Sequence, residues 1–158
     1  MRFILLDRIV ALEPGSSIHA VKIMSADEEL FLDHFPGFPV VPGVLLVEMM
    51  AQAAGKCLHS EDLDRGLAML GKINSATFRD WVEPDQLLDI FANIMNSRPR
   101  FATAVCRIMV GAQLRASAEL LFGFVPRNRL AAEYRDPVLE EFMSRSPGST
   151  TSGSQAQP

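Results

Sequence analysis

The residues with chemical potential fall close together. His34 lies in the proline- and glycine-rich run Asp33-His34-Phe35-Pro36-Gly37-Phe38-Pro39-Val40-Val41-Pro42-Gly43. Glu48 and Gln52 are the only polar side chains between Val44 and Ala54. An imidazole can take a proton near neutral pH, so His34 suits a general base. It equally suits a loop histidine that stiffens its turn through backbone hydrogen bonds. A carboxylate inside an apolar helix is costly without a use. Glu48 is therefore either a structural partner for an arginine or an acid. An apolar surrounding favours the protonated carboxyl, which can donate. Gln52, one helical turn on, either orients Glu48 or makes a packing-level amide contact.

A third element is the backbone. Pro42-Gly43-Val44 reads as a helix start, whose first N–H groups lack intrahelical acceptors and sit at the positive end of the dipole. Removing one donor of this kind from an oxyanion site costs about 3 kcal/mol of transition-state stabilisation. A base, an acid and an oxyanion site together suit one reaction class. The base takes a proton α to a carbonyl, the amides hold the enolate, and the acid helps a β-hydroxyl leave as water.

Other chemistries lack their residues. His19, His34 and His59 show no metal-ligand spacing with one another or with a cysteine pair. Gly37 and Gly43 are separated by prolines and precede no Lys-Ser/Thr, so there is no phosphate loop. No serine occupies a nucleophile elbow. Cys57 falls at the end of the helix, the wrong pole for an activated thiolate.

The elements that must hold these groups follow from pattern. Strands are expected over Arg2–Leu12 and Ser17–Met24, joined by the turn Glu13-Pro14-Gly15-Ser16. The prolines of the His34 segment fix their own φ and bias the residues before them, so the loop is stiff. Pro42 suits the first turn of a helix running to about Leu58, apolar on nearly all sides and so expected to be wrapped by other structure. His59–Arg65 reads as a charged loop. Strands follow at Leu67–Phe78, Leu87–Met95, Phe101–Val110 and Leu114–Val125, with turn signals between them, as in an antiparallel meander. Asp136–Met143 reads as one or two amphipathic helical turns, and from Ser144 the composition points to disorder. One long apolar helix and about six strands leave one solution, in which the sheet curls around the helix. That is the α+β hotdog fold.

With 158 residues, 48% hydrophobic and 22% charged, the chain is one globular domain in size and composition. A net charge of −4 gives no footprint for nucleic acid. Cys57 and Cys106 read as small core residues in a reducing compartment. The opening Met-Arg-Phe-Ile-Leu-Leu is broken by Asp7 and lacks a signal-peptide cleavage site, and no segment is long enough to span a bilayer. The cytoplasm is the expected location.

The run from His34 to Leu45, with Glu48 and Ala51-Gln52, closely resembles the signature of β-hydroxyacyl-acyl carrier protein dehydratases of the FabZ type. Phe3–Arg8, Ala76-Thr77-Phe78-Arg79 and Pro84-Asp85-Gln86-Leu87 are similar to further parts of that family, so the resemblance spans roughly Arg2–Phe124. It implies a hotdog domain over residues 1–125, leaving an extension over 126–143 and a tail over 144–158. It implies a homodimer, in some members a trimer of dimers, with His34 of one subunit facing Glu48 of the other. Amides near Gly43 and Val44 would hold the thioester carbonyl, and Gln52 would lie in the same substrate site. The substrate implied is a β-hydroxyacyl chain on the phosphopantetheine arm of acyl carrier protein, in fatty acid biosynthesis. No metal or dissociable cofactor is implied. Glu48, rather than Asp, resembles the plain dehydratases and not the branch that also isomerises the double bond. Asn74-Ser75 and Val110-Gly111-Ala112 depart from the family pattern. An acidic carrier calls for a basic surface, for which Arg98, Arg100, Arg127 and Arg129 are candidates beside the plainer reading of solvated side chains. Two other functions fit the same fold: an acyl thioesterase, and a non-catalytic subunit that binds acyl chains.

Overall fold

A computed structural model describes residues 3–62, 64–130 and 135–145. Six strands form one antiparallel sheet: β1 (Arg8–Glu13), β2 (Ser17–Ile23), β3 (Leu67–Phe78), β4 (Leu87–Ser97), β5 (Phe101–Val110) and β6 (Gln113–Val125). Their order across the sheet is β1-β2-β4-β5-β6-β3. The helices are α1 (Leu30–Asp33), α2 (Gly43–Glu61) and α3 (Pro137–Arg145). The sheet wraps α2, as the hotdog arrangement requires. Met49, Met50, Ala53, Ala54, Cys57 and Leu58 of α2 are fully buried against Leu88, Ile90, Ile108, Leu120 and Phe122. Alternation in β6 puts Ala116, Ala118, Leu120 and Phe122 inside.

Four details differ from the sequence pattern. The first strand begins at Arg8, because Phe3–Leu6 lie along α2 instead, with Leu5 and Leu6 buried. Asp7 marks the change: its N–H donates to the Val21 carbonyl at 2.8 Å and its carboxylate accepts from the Ile23 N–H at 2.8 Å. The helix continues through His59 to Glu61, so only the end of the charged segment is loop. Asp62 stops the helix by accepting from the amides of Asp64 and Arg65. Thirdly, the strands are not a simple meander. β4 takes the place beside β2, from Ser17↔Asn93 to Ile23↔Leu87, so β3 pairs at the far edge with β6, from Leu67↔Val125 to Phe78↔Ala116. Residues 79–86 carry the chain back across the start of α2, pinned where the Val41 amide meets the Val82 carbonyl at 2.8 Å. Lastly, α3 runs through Ser144 and Arg145, into the segment expected to be without structure; the rest of that tail, 146–158, lies outside the described residues.

α2 is not wrapped on every side. A stripe of Val44, Glu48, Gln52, Gly55 and Lys56 is exposed or half-buried. Alongside it the edge strand β3 is exposed from Met69 to Phe78, with Met69 and Phe78 each 50% accessible. No helix among the described residues is long and apolar enough to cross a membrane.

Candidate active site

His34 sits at the end of α1, which Phe31 anchors in the core. Its main-chain N–H donates to the Leu30 carbonyl at 3.0 Å. Its ring Nδ1 lies 3.1 Å from the carbonyl oxygen of Val40. A carbonyl can only accept, so Nδ1 carries the hydrogen. In the neutral ring Nε2 is then left with the free lone pair, which is the state a base needs. Val40 is buried, and its own amide returns a bond to the His34 carbonyl at 3.4 Å. The stiff loop therefore fixes both the tautomer and the ring.

Gly43 opens α2 after the N-cap Pro42. The Pro42 carbonyl accepts from the amides of Leu45 at 2.9 Å and Leu46 at 3.3 Å. The amides of Gly43 and Val44 precede these and have no intrahelical acceptor. The approach here is close: a Cβ on Gly43 would meet the Phe78 ring at 3.0 Å, so the ring would have to give by a few tenths of an ångström. His34 and Gly43 line one cavity of about 360 Å³, with Val41, Phe78, Trp81 and Val82. The Val44 side chain is 76% exposed and lines neither this cavity nor the next.

Glu48 and Gln52 form the second group. Gln52 Nε2 donates to Glu48 Oε1 at 3.0 Å and to the Phe3 carbonyl at 3.2 Å. Gln52 Oε1 accepts from the Leu5 amide at 2.9 Å. The amide thus does more than pack: it ties the carboxylate to the N-terminal segment. Glu48 is half-buried and opens into a cavity of about 490 Å³, lined also by Phe3, Ala51, Leu67 and Lys56. Within one chain the structure brings His34 to Gly43 and Glu48 to Gln52, but the two pairs line different cavities.

Two neighbours went unread in the sequence. Phe78 covers Gly43 from a strand remote in sequence, and no local signal announced it. For Lys56 the sequence offered only its position, the next step in the four-residue spacing of Glu48 and Gln52, and not its burial. It pairs with Asp136 at 2.5 Å. The four candidate arginines line neither cavity. Arg98 and Arg100 border the β4–β5 turn, and Arg127 pairs with Asp64 at 3.4 Å. Burial pushes the Cys57 thiol up to about 11 and the Cys106 thiol up to about 12, so neither is a ready nucleophile. No group of three or more His, Cys, Asp or Glu among the described residues is placed to hold a metal ion.

Residues 1–119 match the FabA-like domain. The chain belongs to the FabA-like domain family. Among curated proteins, this FabA-like chain is similar to the 3-hydroxyacyl-[acyl-carrier-protein] dehydratase FabZ of Levilactobacillus brevis. The two are 41% identical over 118 residues, covering 74% of this chain and 80% of that protein. The FabZ of Desulforamulus reducens is 38% identical over 121 residues, covering 76% and 85%. Among solved structures, the dehydratase heterocomplex ApeI:P of Xenorhabdus doucetiae superposes with a TM-score of 0.65 at 18% identity, over 90% of this chain and 91% of that one. A hypothetical thioesterase from Streptococcus pneumoniae, with coenzyme A, gives 0.62 at 11% identity, over 75% and 85%. At such identities these two neighbours report the hotdog fold of this FabA-like chain and nothing of its chemistry.

Proposed function

We propose that this FabA-like chain is a FabZ-type dehydratase, converting a β-hydroxyacyl thioester on acyl carrier protein to the trans-2-enoyl thioester in cytoplasmic fatty acid biosynthesis. The observation that carries this reading is the Val40-fixed tautomer of His34, whose free Nε2 shares a cavity with the helix-start amides at Gly43. Nε2 removes the α-proton. The C–H electrons move onto the thioester oxygen, which the amides of Gly43 and Val44 stabilise. As the enolate collapses, the α,β double bond forms and the β C–O bond breaks. The Glu48 carboxyl gives its proton to the departing hydroxyl, which leaves as water. The cycle closes when solvent carries the proton on His34 back to Glu48.

The pair is assembled across a homodimer, which in turn can build a trimer of dimers. What supports the dimer is the separation of the two groups in one chain together with the long exposed edge of β3. An unpaired edge with apolar side chains is a template for strand pairing. Pairing with a second copy would cover that edge and the open stripe of α2, setting His34 against Glu48 of the partner subunit.

The test is complementation. His34→Ala and Glu48→Ala proteins are assayed alone, then after mixing under conditions that exchange subunits, by the absorbance of the enoyl thioester. Each alone is expected to be inactive and the mixture to regain activity, since a mixed dimer holds one intact site. Full activity in both single variants overturns the mechanism, and an inactive mixture of exchanged subunits overturns the split site. Release of free thiol without enoyl product would identify a thioesterase.

A further inference from the structure

The family match ends at residue 119 and β6 at Val125, yet the chain continues into α3, which packs back on the domain. Val138 and Leu139 of α3 are buried in the main core. Just before α3, Asp136 is itself buried, with 5% of its side chain accessible, and both of its carboxylate oxygens accept hydrogen bonds. One oxygen accepts from Lys56 Nζ at 2.5 Å; the other accepts from the Leu139 amide at 3.1 Å, capping α3. The Lys56 side chain is 11% accessible. A buried ion pair with both partners bonded is a built feature, because losing either partner strands a charge.

This feature stands in the cavity that holds Glu48. Gln52 and Lys56 follow Glu48 at successive turns, so Lys56 lies about 12 Å along the axis from Glu48 at about 1.5 Å per residue. Apart from the Gln52 amide, the wall between them is mostly apolar, from Phe3, Ala51 and Leu67, and beyond it the lining passes to Lys56, Arg135, Asp136 and Val138. An apolar tail is favoured along the first part and meets a charged wall at its end.

We propose that the segment Asp136–Val138, with Lys56, is the end wall of the acyl-tail site and sets the longest substrate the enzyme accepts. The inference rests on the dehydratase reading, since that reading places the reacting carbon at Glu48. The substrate class is a β-hydroxyacyl thioester with an unbranched apolar tail that stops at the ion pair. Substrate length is thus decided outside the catalytic pair, through a wall that Lys56 begins and that Asp136–Val138, beyond the matched residues 1–119, complete.

The experiment uses the full chain and a length series of β-hydroxyacyl-pantetheine thioesters, with turnover and equilibrium binding measured in parallel. Wild type is expected to show a sharp cut-off in both. Lys56→Met combined with Asp136→Leu removes both charges together, and Val138→Ala enlarges the end of the site without touching the ion pair or the cap. Each is expected to move the cut-off to longer tails, changing the long-to-short ratio of kcat/KM by about tenfold or more, with short substrates little affected. Val138→Phe is expected to move it the other way. Unchanged cut-offs in Val138→Ala and Val138→Phe overturn the end wall, whatever the double variant does. Shifted binding cut-offs without turnover at any length would uphold the wall and overturn the dehydratase reading instead.

Discussion

His34 and Val40 hold each other through two hydrogen bonds, one from ring to carbonyl at 3.1 Å and one from amide to carbonyl at 3.4 Å. The first assigns the ring's proton, and the second ties the Val40 amide back to the His34 main chain. Replacing His34 by Ala is therefore expected to lower kcat by about 10² to 10⁴, the usual contribution of a positioned base. His34→Gln can keep the bond to Val40 but cannot act as a base, so it should be as inactive as Ala while melting closer to wild type. Steady-state kinetics and thermal melts on the two variants check both halves. An active His34→Gln would remove the base from the scheme.

Gly43 faces the Phe78 ring so closely that an added methyl group would meet it at 3.0 Å. Gly43→Ala should lower stability and activity together, because either the ring or the helix start must shift. Overpacking of this sort costs about 1–3 kcal/mol. Adding Phe78→Leu should return most of the lost stability. Whether it also returns kcat, seen in a double-mutant cycle, shows how far the ring itself shapes the site.

The exposed face of β3 predicts self-association. Ile73, 47% accessible at the edge of the sheet, is the place to test it. Ile73→Lys introduces a like-charge pair wherever two such edges meet, and is expected to shift the protein to monomer in sedimentation velocity. Activity should fall with the dimer fraction, and the far-ultraviolet circular dichroism should stay the same. A fully active monomer would contradict the shared site.

Half-buried His59 and buried Cys57 give stability a pH dependence. Burial, the largest effect, holds His59 below its ordinary value of 6.5, so the unfolded chain binds the proton more readily than the folded one. His59 therefore contributes stability that is present above about pH 6.5 and is lost as pH falls through its lowered value. Cys57 is displaced upward from 9.0 to about 11. Its contribution is complete below pH 9 and is lost as pH rises towards 11. Urea midpoints measured from pH 5 to 11 should form a plateau between these limits, and His59→Gln should soften only the acid side. Cys57 and Cys106 should resist thiol reagents at pH 8 until the protein unfolds.

Much of this arrangement was legible in the chain. The prolines around His34 announced a stiff loop, and the apolar run after Gly43 announced the central helix. The four-residue spacing of Glu48 and Gln52 put the carboxylate beside its amide partner. The unreadable part was set by contacts between remote segments. Phe3–Leu6 look like strand, but the Leu5 amide and the Phe3 carbonyl are taken by Gln52, and the Leu5 and Leu6 side chains by the core. β3 looks like the neighbour of β4, but β2 takes that place. Lys56 looks like an exposed charge near a helix end, until Asp136, eighty residues on in sequence, covers it.

The open stripe of α2 has one more consequence. Glu48, Gln52 and Lys56 present a carboxylate, an amide and an ammonium in one row, and each residue added to a helix rotates the remaining turns by about 100°. A single-residue insertion or deletion within α2 would turn one end of the row into the core and swing buried Met49 or Met50 outward. Over evolutionary time this helix can exchange side chains but cannot change length, so among descendants of this gene indels should collect in the loops and the tail while α2 keeps its residue count.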